Sequence, residues 1–300
     1  MRRLRVFYTD RYTVALPEGH RFPMGKYRAV RERLVETGVL AESELAEPEL
    51  ATREDVALAH TREYVDALCD GTIDPRAMRR IGFPWSPELV VRSLASVGGA
   101  LAAADEALRT GVSGNLAGGT HHAQAEAGEG YCVFNDLAVV TRKLLARGDA
   151  ERVAIVDLDV HQGNGNAAIL GGTAGAFVFS MHGDKNFPFR KVPSTLDIGL
   201  ADGTGDEEYL EKLAEALPRV FAFEPDLVLY QAGVDPLEED TLGRLALTAT
   251  GLAERDRLVL AACRRHGVPV SLALGGGYAA PIALTVEAHV QTYRVLREIF

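Results

Sequence analysis

The chain has 300 residues, of which 47% are hydrophobic and 25% are charged, as is ordinary for a globular protein. Its net charge of −10 argues against a general surface for nucleic acid or anionic lipid, so we expect no direct nucleic-acid binding and no membrane binding. No uncharged apolar segment reaches the ~18 residues of a membrane span, and the N-terminal one is too short for a signal peptide. We therefore expect a cytoplasmic protein with a single domain over residues 1–300.

Strands and helices alternate along the predicted chain. The first strand is predicted at residues 4–8, and Ser86 followed by Pro87 begins a helix that extends to about Arg109. Further strands are predicted at 153–156, 176–180, 227–230 and 268–274, and further helices at 206–223, 248–266 and 281–297. This alternation predicts an α/β fold with a mostly parallel sheet between two layers of helices, a three-layer αβα arrangement.

The most unusual polar residues come directly after the apolar segment 153–156. Alternate side chains of an extended chain share one face, so Asp157, Asp159 and His161 are predicted to point the same way. Two carboxylates and an imidazole at a buried strand end require a cation among them, because unpaired buried charges are costly. The combination favours a borderline divalent metal such as zinc, although any one of these residues alone is more typical of a turn or a helix cap.

Polar residues also follow the other predicted strands. His182 follows the strand at 176–180, Asp235 follows the strand at 227–230, and Tyr278 follows the strand at 268–274 after three glycines. Ligands of open α/β sheets bind beyond the carboxyl ends of the strands, so we expect these side chains at one edge of the sheet. Taken singly, Asp235 is more typical of a loop and Tyr278 of packing; their shared placement indicates a functional site.

Two adjacent histidines, His121 and His122, lie in a segment flanked by glycines. An irregular segment of this kind allows both rings to reach one pocket. Neutral imidazole is suited to taking up and returning protons near pH 7, which predicts a catalytic role. The alternative is that one of the two is an ordinary surface histidine.

Five short motifs follow one another in a fixed order. They are His121-His122, Gly-Tyr-Cys-Val-Phe-Asn-Asp at 130–136, Asp-Leu-Asp-Val-His-Gln-Gly-Asn-Gly at 157–165, Gly-Val-Asp at 233–235 and Gly-Gly-Gly-Tyr at 275–278. This order resembles that of the histone deacetylase superfamily of zinc-dependent amidohydrolases, over nearly the whole chain. The short length, with Gln162 and Asn164, is most similar to class IV deacetylases and to bacterial relatives that include the acetoin-utilisation proteins. The resemblance implies the arginase/deacetylase fold.

The resemblance also implies an activity and a set of site residues. The activity is removal of an acyl group, acetyl or longer, from an acylated lysine in a protein or from a similar small acylated amine. The implied metal ligands, for Zn²⁺ or Fe²⁺, are Asp159, His161 and Asp235. The implied catalytic residues are His121, His122, Asp157, Asn164 and Tyr278. The implied substrate-binding residues are Gly130, Tyr131 and Phe187. A structural monovalent cation such as K⁺ would be held by Asp157, Asp159, His161, Ser180 and Met181.

Within this resemblance, His122 is the general base and acid, and Asp157 orients His121. Tyr278 donates a hydrogen bond to the developing oxyanion. Many family members carry an Asp where this chain has Asn164. A neutral amide stabilises an imidazolium less than a carboxylate does, which predicts a His122 that is more readily deprotonated.

Three alternative functions stay open at the level of the sequence. An acetylpolyamine amidohydrolase would share the chemistry but would favour an acidic tunnel mouth. An arginase-like ureohydrolase would share the fold but would need further Asp ligands for two manganese ions. A non-catalytic acyl-lysine binder would be favoured by loss of Tyr278 or of a metal ligand, and all of these residues are present.

Overall fold

The computed structural model describes residues 4–300, which form one sheet of eight parallel strands. The strands are β1 (Arg5–Phe7), β2 (Leu45–Ala46), β3 (Val112–Asn115), β4 (Val153–Asp157), β5 (Ala176–Gly183), β6 (Leu196–Leu200), β7 (Leu227–Gln231) and β8 (Val270–Ala273). Their order across the sheet is β2-β1-β3-β8-β7-β4-β5-β6, and every neighbouring pair is parallel. The predicted parallel sheet is confirmed.

Ten α-helices lie within the described part of the chain. They are α1 (Lys26–Glu36), α2 (Arg53–Val56), α3 (Arg62–Asp70), α4 (Pro75–Ile81), α5 (Pro87–Thr110), α6 (Asp136–Arg147), α7 (Asn164–Leu170), α8 (Asp206–Phe221), α9 (Ala249–His266) and α10 (Ile282–Ile299). Helix α5 begins as its sequence predicts: Ser86 caps it by accepting from the backbone N–H of Leu89, and Pro87 occupies the first turn. None of these helices is long and apolar enough to cross a membrane.

The sheet separates two hydrophobic cores. On β4, Ala154 and Val156 pack into one core with residues of α1, α8, α9 and α10. Val153 and Ile155 alternate with them and pack into the other core, with residues of α3, α4, α5 and α6. Because alternate side chains of a strand point to opposite faces, this division establishes the three-layer αβα architecture that the sequence predicted.

Some elements were not predicted. The central strand β3 reads Val-Ser-Gly-Asn, which lacks the apolar run of a buried strand, yet all four residues are buried. A side chain at Gly114 would lie 2.5 Å from the Tyr293 hydroxyl, so the close packing of α10 against the sheet requires a residue without a Cβ there. Small residues therefore take the place of apolar ones in the middle of this sheet.

Candidate metal centre and active site

Three buried side chains converge beyond the carboxyl ends of β4 and β7. One ligand atom from each of Asp159, His161 and Asp235 lies within 4.8 Å of the other two. His161 Nδ1 is 3.0 Å from Asp159 Oδ1 and 3.1 Å from Asp235 Oδ2. The structure thus brings together the three residues predicted as metal ligands, and two carboxylates with one imidazole form a donor set suited to a divalent cation.

The segment that carries two of these residues is not a strand throughout. Strand β4 ends at Asp157, and Asp159 and His161 lie in the bend that follows. The prediction that all three side chains alternate along one extended strand was therefore wrong. Local hydrogen bonds shape the bend: the backbone N–H of Asp159 donates to Asp157 Oδ1 at 3.3 Å, and that of His161 donates to Asp159 Oδ1 at 3.0 Å.

The close spacing of these buried acidic and basic groups shifts their pKa values. Burial, followed by the neighbouring Asp159 carboxylate, raises the pKa of Asp235 to about 7. Burial alone would lower the pKa of His161, but its contacts with Asp159 and Asp235 outweigh burial and raise it to about 10. A divalent cation among these groups would neutralise the same closely spaced, buried carboxylates, so the donor set fits a metal.

Backbone N–H groups fix both carboxylates in place. Gly276 donates to Asp159 Oδ2 at 2.7 Å, and Val160 donates to Asp235 Oδ1 at 2.9 Å. A Cβ at Gly276 would lie 1.9 Å from Asp235 Oδ2, so the central glycine of the Gly-Gly-Gly-Tyr motif is required for the backbone to approach the cluster this closely.

A buried arginine on α9 supports the two segments that carry these carboxylates. Arg255 Nη1 donates to the carbonyl of Leu158 at 3.3 Å and to that of Gly233 at 2.5 Å. Its Nη2 pairs with Asp256 Oδ1 at 2.8 Å, and both side chains are almost completely buried. Asp256 in turn accepts from the hydroxyls of Tyr230 and Thr292. This network ties the β4 and β7 ends to the helix layer.

The two adjacent histidines each meet a different partner. His121 Nδ1 lies 2.7 Å from Asp157 Oδ2, and His122 Nδ1 lies 2.7 Å from Asn164 Oδ1. The two ring centroids are 4.1 Å apart. All four residues are buried. The structure thus contains both contacts that the sequence predicted, His121 with Asp157 and His122 with Asn164.

The two imidazoles differ in charge at neutral pH. Burial opposes charge on His121, but the carboxylates of Asp157 and Asp159 outweigh burial and raise its pKa to about 9. Burial and the neighbouring His121 and His161 hold the pKa of His122 well below its usual value. His122 is therefore neutral near pH 7, the form that can accept a proton.

Tyr278 follows the glycine turn after β8 and is held by its backbone. Its N–H donates to Asp240 Oδ2 at 2.6 Å, and its carbonyl accepts from the Thr241 hydroxyl at 2.8 Å. The buried ammonium of Lys26 lies 5.0 Å from the centre of the Tyr278 ring and donates to the carbonyl of Gly275 at 3.1 Å. Burial raises the pKa of Tyr278 well above its usual value, so its hydroxyl stays protonated and can donate.

The metal cluster, the histidines and Tyr278 all line one cavity of about 630 Å³. Tyr131 and Phe187 form aromatic parts of its wall, and the Phe187 ring meets that of His122 edge-on at 4.9 Å. At Gly130 the backbone has φ +57°, and a Cβ would lie 2.7 Å from His122 Cδ2. Tyr131 also has a positive φ of 65°, an uncommon conformation for a residue with a side chain. The three predicted substrate-binding residues therefore line the same cavity as the histidines.

Comparison with protein-family models agrees with this geometry. A model described as the histone deacetylase domain matches residues 20–293, which is most of the chain. The chain belongs to the histone deacetylase family. The membership predicted from the five motifs is confirmed.

Individual proteins are similar to this chain along most of their length. An uncharacterised protein of Picosynechococcus sp. is 46% identical over 98% of this chain and 99% of its own length. Histone deacetylase 2 of Arabidopsis thaliana is 30% identical over 96% of this chain and 78% of its own length. The crystal structure of a histone deacetylase homologue from Aquifex aeolicus has a TM-score of 0.84 at 26% identity, covering 97% of this chain and 83% of that chain.

Exposed cationic side chains are part of the cavity lining in this histone deacetylase family member. They are Arg21, Arg80, Lys185 and Arg244. Lys185 and Arg244 lie 3.7 Å and 3.2 Å from one carboxylate, that of Asp202, which is not part of the lining. Apart from one glutamate and the predicted metal ligands, no carboxylate of residues 4–300 lines this cavity.

Two predictions at the neighbouring strand ends have different outcomes. Asp157 and Ser180 are paired in register on β4 and β5, next to Met181, and the predicted monovalent-cation site at these residues stays a prediction. His182 lies outside the metal cluster: its Nδ1 is 2.9 Å from Ser180 Oγ, and burial lowers its pKa to about 4. His182 thus lies at the carboxyl end of β5, at the edge of the sheet where it was expected, but it does not line the cavity that holds the other strand-end residues.

Several residues that shape the site had no signal of their own in the sequence. Their common property is a hydrogen bond to a loop or side chain of the predicted site across a long stretch of chain. They are Lys26, Glu129, Asp136, Asp240 and Arg255. Asp136, for example, accepts from the backbone N–H of Gly119 at 2.8 Å and so holds the loop that leads to His121. Glu129 directly precedes the motif at 130–136, and Asp136 is its last residue. This motif was the only sequence feature that indicated either of them.

Proposed function

We propose that this protein is a metal-dependent deacylase that hydrolyses the amide of an acyl-lysine and releases the free amine and a carboxylate. Membership of the histone deacetylase family supports a deacetylase activity. The observation that carries the proposal is that one cavity is lined by the Asp159, His161 and Asp235 cluster, by the histidine pair and by Tyr278. Each group that amide hydrolysis requires therefore faces the same space.

In this proposal Asp159, His161 and Asp235 hold a divalent cation, Zn²⁺ or Fe²⁺. When bound, the cation supplies a Lewis acid that polarises the scissile carbonyl and makes water more acidic. The rest of the cavity is left to water and substrate, and its lining includes the histidines, Tyr278 and the aromatic side chains of Tyr131 and Phe187.

The other side chains have distinct tasks in the proposed reaction. His122 takes a proton from the attacking water at Nε2, because its Nδ1 faces Asn164, and returns the proton to the leaving amine. The Tyr278 hydroxyl donates a hydrogen bond to the carbonyl oxygen as negative charge develops there. His121, paired with Asp157, places a second imidazole beside His122.

The walls of the cavity favour a slender alkyl arm. Tyr131 and Phe187 offer ring faces and edges to a methylene chain. We expect the carbonyl of Gly130, a residue of the same lining, to accept from the scissile amide N–H. A planar guanidinium would instead need carboxylates along the wall. Among residues 4–300 the only lining carboxylate outside the metal cluster is that of Glu129, which is engaged by Asn164. Within residues 4–300 one Asp/His metal cluster of three residues is present, which also disfavours a two-manganese ureohydrolase.

The charge at the mouth opposes the polyamine alternative. A polyamine bearing an acetyl group keeps one or more ammonium groups, and Arg21, Arg80, Lys185 and Arg244 would repel them. We expect kcat/KM for an acetyl-lysine peptide with neutral or acidic neighbours to exceed that for acetylspermidine by roughly tenfold or more at low salt. The same peptide with lysine neighbours serves as the matched control, and its kcat/KM is expected to lie between those of the other two substrates. Because salt screens exposed charges, the differences in kcat/KM between these substrates should shrink at about 1 M salt.

Faster hydrolysis of acetylspermidine than of any lysine peptide would overturn the proposed substrate.

A second experiment tests the metal site. We expect about one divalent ion per chain in the purified protein. The triple variant, in which Asp159, His161 and Asp235 are all replaced by Ala, should lose this ion because it lacks all three predicted ligands. Metal analysis after gel filtration measures the content, and Asp202→Ala, which removes an exposed carboxylate outside the cluster, is the control. Two tightly bound manganese ions, or full metal content in the triple variant, would contradict the assignment.

A further inference from the structure

The hydrogen bonds of His122 continue one residue beyond Asn164. Asn164 Oδ1 faces His122 Nδ1 at 2.7 Å, and Asn164 Nδ2 donates to Glu129 Oε1 at 2.6 Å. The same Glu129 oxygen accepts from Gln124 Nε2 at 3.1 Å, and the Glu129 side chain is 16% exposed. The imidazole of His122 thus contacts Asn164, and Asn164 in turn contacts the carboxylate of Glu129.

An amide side chain presents nearly the same shape in two orientations that exchange its donor and acceptor ends. An ionised carboxylate only accepts hydrogen bonds. Glu129 can therefore bond only the NH₂ end of Asn164, which turns the Oδ1 end toward His122. Because Oδ1 only accepts, the proton of neutral His122 must be on Nδ1, and Nε2 is left with a free lone pair.

We propose that Glu129 is a positioning residue that sets the tautomer of His122 through the orientation of the Asn164 amide. An Asp at position 164 would fix the tautomer by itself, since both of its oxygens accept. Asn164 can fix it only if something fixes Asn164, and Glu129 does so. The inference rests on the proposed function insofar as the free Nε2 lone pair is the one that accepts the proton from water.

A purely structural role for Glu129 makes a different prediction. Glu129 also braces its own loop, through Gln124 and through Arg80, whose guanidinium lies 3.6 Å from the second carboxylate oxygen. The Arg80 contact is exposed and long, so it contributes little. If bracing were the whole role, the consequence of changing Glu129 would not depend on which residue stands at 164.

The test exchanges the carboxylate and the amide between the two positions. In Glu129→Gln the new amide can bond either end of Asn164, so Asn164 can turn its NH₂ toward His122, and kcat should fall roughly tenfold or more. In Asn164→Asp two carboxylates face each other at the 2.6 Å contact, and kcat should fall by a similar factor. In the double variant the carboxylate at position 164 accepts from both neighbours and the amide at position 129 donates, so kcat should return to within about threefold of the unmodified protein.

Two further measurements separate orientation from folding. Metal content should stay unchanged in all three variants, because none of them removes a predicted metal ligand. KM should change less than kcat, because the Glu129 oxygen concerned is already engaged by Asn164 and Gln124. The ¹⁵N chemical shifts of the His122 ring, in zinc-loaded protein labelled at histidine, should show the proton on Nδ1 in the unmodified and double-variant proteins. Glu129→Gln should show a mixture or the opposite tautomer. Glu126→Gln, an exposed change in the same loop, is the matched control.

The inference is overturned if the double variant is no more active than the weaker single variant, or if the His122 tautomer is the same in Glu129→Gln as in the unmodified protein. The tautomer measurement needs no turnover. If no acyl-lysine substrate is hydrolysed at all, the proposed function fails, and the ¹⁵N shifts still decide whether Glu129 sets the tautomer.

Discussion

Replacing Tyr278 by Phe is expected to lower kcat by about a hundredfold or more, with fold and metal content unchanged. The hydroxyl is the only group removed. Because burial keeps it protonated, it is a donor at every pH where the enzyme would be assayed, and its backbone is held independently by Asp240 and Thr241. The loss should appear in kcat more than in KM, because the hydroxyl acts mainly on charge that develops in the transition state.

A second tyrosine provides the control for Tyr278→Phe. Tyr293 on α10 is completely buried, lines no part of the active-site cavity, and its hydroxyl has no hydrogen-bond partner among the described residues. Tyr293→Phe removes the same atom and is expected to leave kcat unchanged. A hydroxamate should still bind Tyr278→Phe, since its main anchor is the metal. Near-normal turnover in Tyr278→Phe would mean that another group stabilises the oxyanion, and the proposed mechanism would be abandoned.

Arg255→Met is expected to lower the free energy of unfolding by about 3–5 kcal/mol, as measured by urea denaturation. The substitution fills similar volume but leaves the Asp256 carboxylate buried without its cation. It also leaves the carbonyls of Leu158 and Gly233 without a donor, and these precede or flank the predicted metal-binding segments.

The adjacent exposed arginine offers a matched comparison. Arg257 pairs with Glu254 and Glu298 on the surface, so Arg257→Met should change the stability by less than about 1 kcal/mol. Adding Asp256→Asn to Arg255→Met should restore part of the loss, because the unpaired buried charge is then gone. A loss below about 1 kcal/mol for Arg255→Met would show that the buried pair contributes far less than its surroundings imply.

The sequence predicts the strands at the centre of the sheet well, because buried parallel strands consist of continuous apolar residues. Strands β4 and β7 lie between neighbours on both sides and are covered on both faces, so they begin with the apolar runs Val-Ala-Ile-Val and Leu-Val-Leu-Tyr. Their carboxyl ends must meet at one edge, and the structure brings Asp159 and Asp235 together there. The short edge strand β6, which reads Leu-Asp-Ile-Gly-Leu, carries no such run and was not predicted.

Contacts between distant segments account for most of what the sequence could not show. Glu129 and Asn164 are 35 residues apart, and nothing in local spacing places one carboxylate against one amide. Arg255 meets carbonyls 97 and 22 residues earlier in the chain, and a lone Arg in a helix is normally expected in solvent. Such contacts depend on loop paths, which have no periodicity to detect.

The backbone N–H groups that hold Asp159 and Asp235 have a consequence for how the protein would acquire its ion. Both carboxylates already have fixed donors, so little chain ordering remains to be done when a cation arrives. Folding and loading are then separable events, unlike those of a zinc finger, whose unloaded chain is unfolded. At a free concentration about 100 times Kd, a bound ion would add about 2.7 kcal/mol to the free energy of unfolding. We therefore expect the protein to exchange divalent cations at this site without unfolding, so that the supply of ions would decide which one is bound.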